Sequence, residues 1–204
     1  MLVMLTPMNK IHDTKQHILN VGYQLVLIKG FNGMGLSELL KSAVVPKGSF
    51  YHYFASKEQF GVVLVEQYFA RHLSAQQQIF SQIAVSEYDK LMQYWQKWYE
   101  HNSPQCQNDR CLVVKLAGEV ADMSQDMRRA FLTGTEQIIA TLTQQLERGM
   151  HAGEFTLDNP RHNAEVLYEM WLGASLLAKI RVDDSSLQHA LQATIERLGH
   201  QPGR

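Results

Sequence analysis

Five side chains between positions 47 and 53 could do chemistry together: Lys47, Ser49, Tyr51, His52 and Tyr53. All five donate hydrogen bonds, His52 in the appropriate tautomer, and the two tyrosines add phenol rings that can stack. Phe50 and Phe54, four residues apart, share one helical face and can anchor it to a core, so the donors project elsewhere. Gly48 removes a side chain near the start of the helix and lets backbone come close to a partner. Donors, a cation and flat rings suit an anionic partner with flat edges, and duplex DNA fits that description. A second reactive group lies at Cys111, with Lys115 four residues on and Cys106 five residues before.

The elements that must position the first group are legible around it. Leu36, Leu39, Leu40 and Ala43 recur at helical spacing, which predicts a short helix. Val44-Val45-Pro46 should break it, because proline cannot continue a helix and disfavours helical geometry in the residue before. Pro46 suits the first turn of the next helix. Two short helices joined by about three residues form a helix-turn-helix, whose second helix enters the major groove. Ser56 with Gln59 makes a capping box for the following helix. Lys57, in that helix's first turn, is placed for a backbone phosphate.

Charge separates along the chain in the same sense. Residues 1–57 hold six lysines against Asp13 and Glu38, a net of +4, whereas the remainder carries 13 basic and 18 acidic side chains, a net of −5. The overall charge of −1 therefore conceals a basic head on an acidic body. Such a head favours phosphate, and the acidic remainder limits nonspecific adhesion.

These residues carry a family resemblance. Gly30-Phe31, the Leu36–Ala43 helix and the run from Lys47 to Glu58 resemble the N-terminal domain of the TetR family of transcriptional repressors. The resemblance implies an all-α fold, a homodimer and a ligand-gated repressor on a palindromic operator of double-stranded DNA. It implies that Ser37, Lys47, Gly48, Tyr51 and His52 face bases or nearby backbone. Ser49, Tyr53 and Lys57 match phosphate contacts. Met34-Gly35 departs from the family's usual Thr-Ser, so a hydroxyl cap is missing before the first helix of the motif, and Ser37 is its partial substitute.

The rest of the chain reads as helices. Asp13 with Gln16 is expected to cap a first helix ending at Gly30, with Ile18, Val21, Gly22 and Leu25 on one face. The helix after Ser56 should carry Phe60, Val63, Leu64 and Phe69 away from the head. Residues 87–101 form an aromatic-rich helix, a polar loop follows, and a further helix is expected over Cys111–Met123. Ser124 starts a long helix running to Gly149 or Gly153. Asn159-Pro160 opens the next, with Ala164, Leu167, Tyr168, Trp171, Ser175 and Ala178 along one stripe and Val166, Met170, Gly173 and Leu177 along another. A helix apolar on two faces has two partners to satisfy. With the final helix, through Leu187, Ala190, Leu191, Thr194, Ile195 and Leu198, it suggests either a four-helix bundle across a two-fold axis or an ordinary core. The expected organisation is about nine helices: a helix-turn-helix domain over 10–57 and a regulatory and dimerisation domain over 58–200.

Cys111 has two readings. Asp109 can cap its helix, so the dipole and Lys115 together would lower the thiol pKa from about 8.5 and favour reaction with electrophiles and oxidants. Cys106 could then resolve an oxidised Cys111. Alternatively, Cys111 is a small buried hydrophobe and Lys115 pairs with Glu119. Lys179, closing an apolar run, either snorkels or projects into a ligand cavity. Residues 111–120, Tyr168 to Ala174 and Ala178-Lys179-Ile180 resemble an electrophile-sensing subgroup of the family, the repressors of N-ethylmaleimide reductase. That likeness implies Cys111 as sensor, Lys179 as its charge partner and detoxification genes as targets. A noncovalent hydrophobic or aromatic inducer, held by Trp95, Trp98, Tyr99, Met123, Phe131 and Trp171, is the alternative.

Composition excludes other classes. A chain of 204 residues buries roughly 70% of its unfolded surface and needs no staples. Two cysteines fit a reducing compartment rather than a disulfide framework. No signal peptide or membrane span is evident, and a cytoplasmic location is expected. Met4 or Met8 could equally be the start. No phosphate loop, zinc pattern or nucleophile elbow appears, and the histidines lack metal spacing. No enzyme, cofactor or metal is expected.

Overall fold

The structure, a computed structural model, describes residues 7–106, 111–116, 119 and 124–199, with side chains from Thr14 onward. Those residues form nine helices and no strand: α1 (Pro7–Lys29), α2 (Leu36–Ser42), α3 (Lys47–Tyr53), α4 (Lys57–Phe80), α5 (Glu87–Asn102), α6 (Leu112–Leu116), α7 (Gln125–His151), α8 (Pro160–Arg181) and α9 (Ser185–Leu198). The chain divides into two compact units, one built from Met1–Tyr68 and Lys115–Phe131, the other from Phe69–Val114 and Leu132–Arg204.

In the first unit α1 begins at Pro7, so Asp13 lies inside the helix instead of capping it. Gln16 likewise serves no cap; it donates to Asn20 and accepts from Gln67. Gly30, at φ +79°, ends α1. Gly35 stands at the N-cap of α2 and supplies no side-chain cap, as the Met34-Gly35 departure implied. The end of α2 differs from expectation. Val44 adopts left-handed geometry at φ 53°, its N–H donates to Lys41 and that of Val45 to Leu40. This is a Schellman closure with valine where glycine is usual. The chain has therefore left the helix before Pro46 exerts any restriction, and Pro46 occupies the N-cap position of α3.

Phe50, Phe54 and Phe60 form a buried cluster with ring centroids 5.1–5.8 Å apart. Phe60 thus belongs to the head and does not lead away from it. The reason is local: Gly22 of α1 leaves a gap that the Phe60 ring fills, and a methyl there would collide with it. The capping box forms as read, with Gln59 N–H donating to Ser56 Oγ at 3.1 Å and the Gln59 side chain accepting from Ala55 N–H at 3.2 Å. The latter lies one residue earlier than in the usual box.

The second unit is organised around tryptophan. Trp95 of α5 and Trp171 of α8 are fully buried and stack with centroids 5.1 Å apart and planes 9° from parallel. The Trp98 indole donates to Ser175 Oγ at 2.9 Å, and the Trp171 indole donates to Thr194 of α9 at 3.0 Å. Burial of large rings drives the packing, while the two N–H bonds fix the rotation of α5 and α9 about α8. All six residues of the first stripe on α8 are buried. Gly173 and Leu177 of the other stripe are exposed. Ser86 caps α5 through Asp89 N–H, Asn159 caps α8 through His162 N–H, and the Ser124 hydroxyl receives Met127 N–H ahead of α7. No helix among the described residues is long and apolar enough to cross a membrane.

Candidate nucleic-acid interface and regulatory site

α3 is held by the aromatic cluster beneath it, and the His17 ring of α1 bonds the Ala43 carbonyl at the end of α2 at 3.0 Å. Its outer face carries Lys47, Gly48 and His52 exposed, Tyr51 46% exposed, and Ser49 and Tyr53 half-buried. Ser37 is exposed on α2. Lys47 Nζ lies 5.7 Å above the Tyr51 ring, and the His52 and Tyr53 rings meet edge to face at 4.8 Å. A side chain at Gly48 would meet nothing within 4 Å, so its smallness serves no packing inside the protein. Lys57 stands in the first turn of α4, but its ammonium rests 4.8 Å over the Phe31 ring. Burial lowers its pKa, with Glu119 and then Glu58 opposing.

Lys29 is committed to Glu38 at 2.5 Å, which removes one lysine of the basic head from phosphate duty. Lys41, exposed in the last turn of α2, is a cation the sequence reading did not single out. Its place beside the turn of the motif was the available signal.

The segment after Cys111 differs from expectation. α6 spans only Leu112–Leu116, so Cys111 precedes the helix, and five residues supply little dipole. Asp109 and residues 117–118 and 120–123 lie outside the described residues. Cys111 is buried, Cys106 is half-buried, and neither is in a disulfide. Lys115 does not complete an ion pair with Glu119; its Nζ donates to the Ile28 carbonyl at 3.1 Å. Glu119 instead receives the backbone N–H groups of Phe31 and Asn32, at 3.2 and 2.7 Å. Both side chains thereby hold the end of α1. Lys179 is half-buried near the end of α8.

The Tyr94 phenol pKa is raised well above its usual value by burial, then by Tyr168 and Cys111. That of Tyr168 is raised by burial and then by Cys111. Tyr94 Oη also meets His72 Nε2 at 3.1 Å. Burial, followed by the charge of His101, pulls the His72 pKa down to about 4. Tyr168 was read only as part of the apolar stripe of α8 and of the subgroup resemblance, and Tyr94 and His72 were not singled out in the sequence. Of the aromatic residues proposed for a hydrophobic inducer, Trp95, Trp98, Phe131 and Trp171 are buried, and the Trp95 ring packs against those of Trp98 and Trp171. Met123 lies outside the described residues. No group of three metal-binding side chains occurs among the described residues.

The model for bacterial regulatory proteins of the tetR family matches residues 18–60, and that for the tetracyclin repressor-like C-terminal domain matches residues 88–194. The chain belongs to the TetR family. It is 44% identical over 181 residues to the HTH-type transcriptional repressor NemR of Escherichia coli strain K12, covering 88% of this chain and 91% of that one. The transcriptional regulator AcuR of Cereibacter sphaeroides is 34% identical, over 89% and 83% of the two chains. The crystal structure of E. coli NemR in its reduced form superposes with a TM-score of 0.89 at 42% identity, over 94% of this chain and all of that one. This TetR-family chain is therefore a DNA-binding transcriptional regulator and not an enzyme.

Proposed function

We propose that the protein is a dimeric repressor that leaves its operator when an electrophile or oxidant modifies Cys111, and that it controls detoxification genes. The observation that carries this reading is the position of Cys111 immediately before α6, the short helix whose far end supplies Lys115, with Glu119 just beyond, to the end of α1. An adduct on a buried thiol must displace its neighbours, and the shift has a covalent route into the segment that holds the DNA-reading unit. Release requires only that modification favour a state in which the two heads no longer match half-sites ~34–36 Å apart. The likeness to NemR supports the same reading.

In this reading Lys47, Gly48, Tyr51, His52 and Ser37 meet bases or adjacent backbone, while Ser49, Tyr53 and Lys57 meet phosphates of a palindromic operator. Lys179 is the charge partner of the modified thiol, and Cys106 resolves an oxidised one. The second copy docks on α8 and α9, where Leu176, Leu177, Ile180 and Ile195 are 38–67% exposed beside an uncovered Gly173. An apolar stripe of that kind normally marks a protein interface.

A gel shift on the promoter beside the protein's own gene, with and without N-ethylmaleimide, tests the proposal. Cys111→Ser should retain DNA binding and lose the response. A full response in that variant would remove Cys111 from the mechanism, and reversible release by an aromatic ligand would then favour the noncovalent alternative.

A further inference from the structure

Asn32 and Gly33 stand exposed in the turn between α1 and α2, and Asn32 is the one asparagine of the chain that glycine follows. In an Asn-Gly pair the asparagine side chain is open to attack by its own backbone, because no side chain on the next residue shields the peptide nitrogen. That nitrogen is uncommitted here: among the described residues nothing accepts a hydrogen bond from Gly33 N–H. Glycine is also required at this position, since a Cβ there would lie 2.5 Å from the Lys29 carbonyl oxygen. The fold therefore keeps the reactive pair. Asn102, followed by Ser103, is the contrasting case: it is buried at the end of α5, and its amide donates to the Trp98 carbonyl at 3.0 Å.

The surroundings of Asn32 give its modification a consequence. Its N–H donates to Glu119 Oε2 at 2.7 Å, and Phe31 N–H donates to the other carboxylate oxygen at 3.2 Å. Through these two charge-assisted bonds Glu119 holds the chain just ahead of the helix-turn-helix. We propose that Asn32 is a spontaneous modification site, where deamidation places a second carboxylate beside Glu119, loosens this hold and weakens operator binding. In the reaction the Gly33 nitrogen bonds to Asn32 Cγ, the C–N bond of the side-chain amide breaks, and ammonia leaves with the proton that Gly33 nitrogen gave up. Water then opens the cyclic imide at either carbonyl, to give aspartate or isoaspartate, and no oxidant or reductant is consumed. Either product carries its new charge within a few bonds of a nitrogen that Glu119 already holds, and like charges at such range repel. Isoaspartate also lengthens the backbone by one methylene, which moves Gly33 from its place against the Lys29 carbonyl. The site uses no thiol, so it stands apart from the sensor role of Cys111.

The test ages the full-length protein at mildly alkaline pH, with dithiothreitol present so that neither cysteine is oxidised. It follows the mass of tryptic peptide 30–41 and gel-shift binding to the promoter beside the protein's own gene. The peptide should gain the mass of an amide-to-acid conversion, with an isoaspartate fraction separable by chromatography, while Asn102 stays intact. Operator affinity should be lost on the same time course, and amide exchange at Phe31 should quicken. Asn32→Gln keeps an amide but would have to close a larger, slower-forming imide, so it should retain both peptide mass and affinity over the same period. A peptide still unmodified when the denatured protein has fully converted overturns the site. A converted protein that binds operator undiminished, or an equal loss of affinity in Asn32→Gln, overturns the proposal as well.

Discussion

Single residues in this molecule carry opposed demands. Gly48 lies in α3, where alanine would be more stable by about 1 kcal/mol, and its surroundings leave room for a methyl. Gly48→Ala should therefore raise the melting temperature and yet weaken operator binding in a gel shift. A variant that gains both stability and affinity would show that no partner needs the space. Val44 presents the reverse case. A β-branched residue at φ 53° is strained, so Val44→Gly should gain about 0.5–1 kcal/mol in denaturant unfolding once the added freedom of the unfolded chain is deducted. His72 sets a pH dependence. Its folded pKa of about 4 lies below the ordinary value of 6.5, so as pH falls the unfolded chain takes up the proton first. Stability should decline from about pH 6.5 to pH 4, by up to about 3 kcal/mol, and then level off. His72→Gln should flatten that slope relative to the unaltered protein in unfolding measured across the window.

At the scale of elements, legibility followed from whether an element's neighbours were local. The six buried positions of α8, the caps at Ser56, Ser124 and Asn159, and the aromatic content of α5 could be read because helical periodicity and capping act within a few residues. The donors of α3 were legible for the same reason, since they project from one short helix. Lys115 was not, because its partner, the Ile28 carbonyl, lies 87 residues away in sequence. Glu119 was missed in the same way, and the His72–Tyr94 bond joins α4 to α5 without any local pattern. Asp13 misled because a carboxylate three residues before a glutamine imitates a cap, whereas α1 extends back to Pro7. The Glu119 clamp makes its own prediction. Glu119→Ala removes a charged acceptor from two backbone N–H groups and should destabilise the DNA-reading unit by about 2 kcal/mol, seen as faster amide exchange at Phe31 and Asn32.

For the whole molecule, DNA reading and dimer formation are assigned to separate surfaces and should be separable by mutation. Lys47→Ala and Tyr51→Ala should each lower operator affinity roughly tenfold or more while sedimentation still reports a dimer. Leu177→Glu combined with Ile180→Glu should give a folded monomer that binds operator poorly, because one head spans only one half-site. A monomer with undiminished affinity would exclude α8 as the shared base. Operator binding by the native protein should fall steeply with added salt, as the proposed contacts of the basic head with phosphates require.

The three tryptophans, Trp95, Trp98 and Trp171, all stand in the unit that also contains Cys111, and the DNA-reading helices have only tyrosine and phenylalanine. Intrinsic tryptophan emission is therefore an optical channel confined to that unit. Quenching or a spectral shift on thiol modification can be followed in unlabelled protein, and a fluorophore attached to the operator reports the other half of the event. Recording both signals in one stopped-flow mixing would give the order in which adduct formation and dissociation occur.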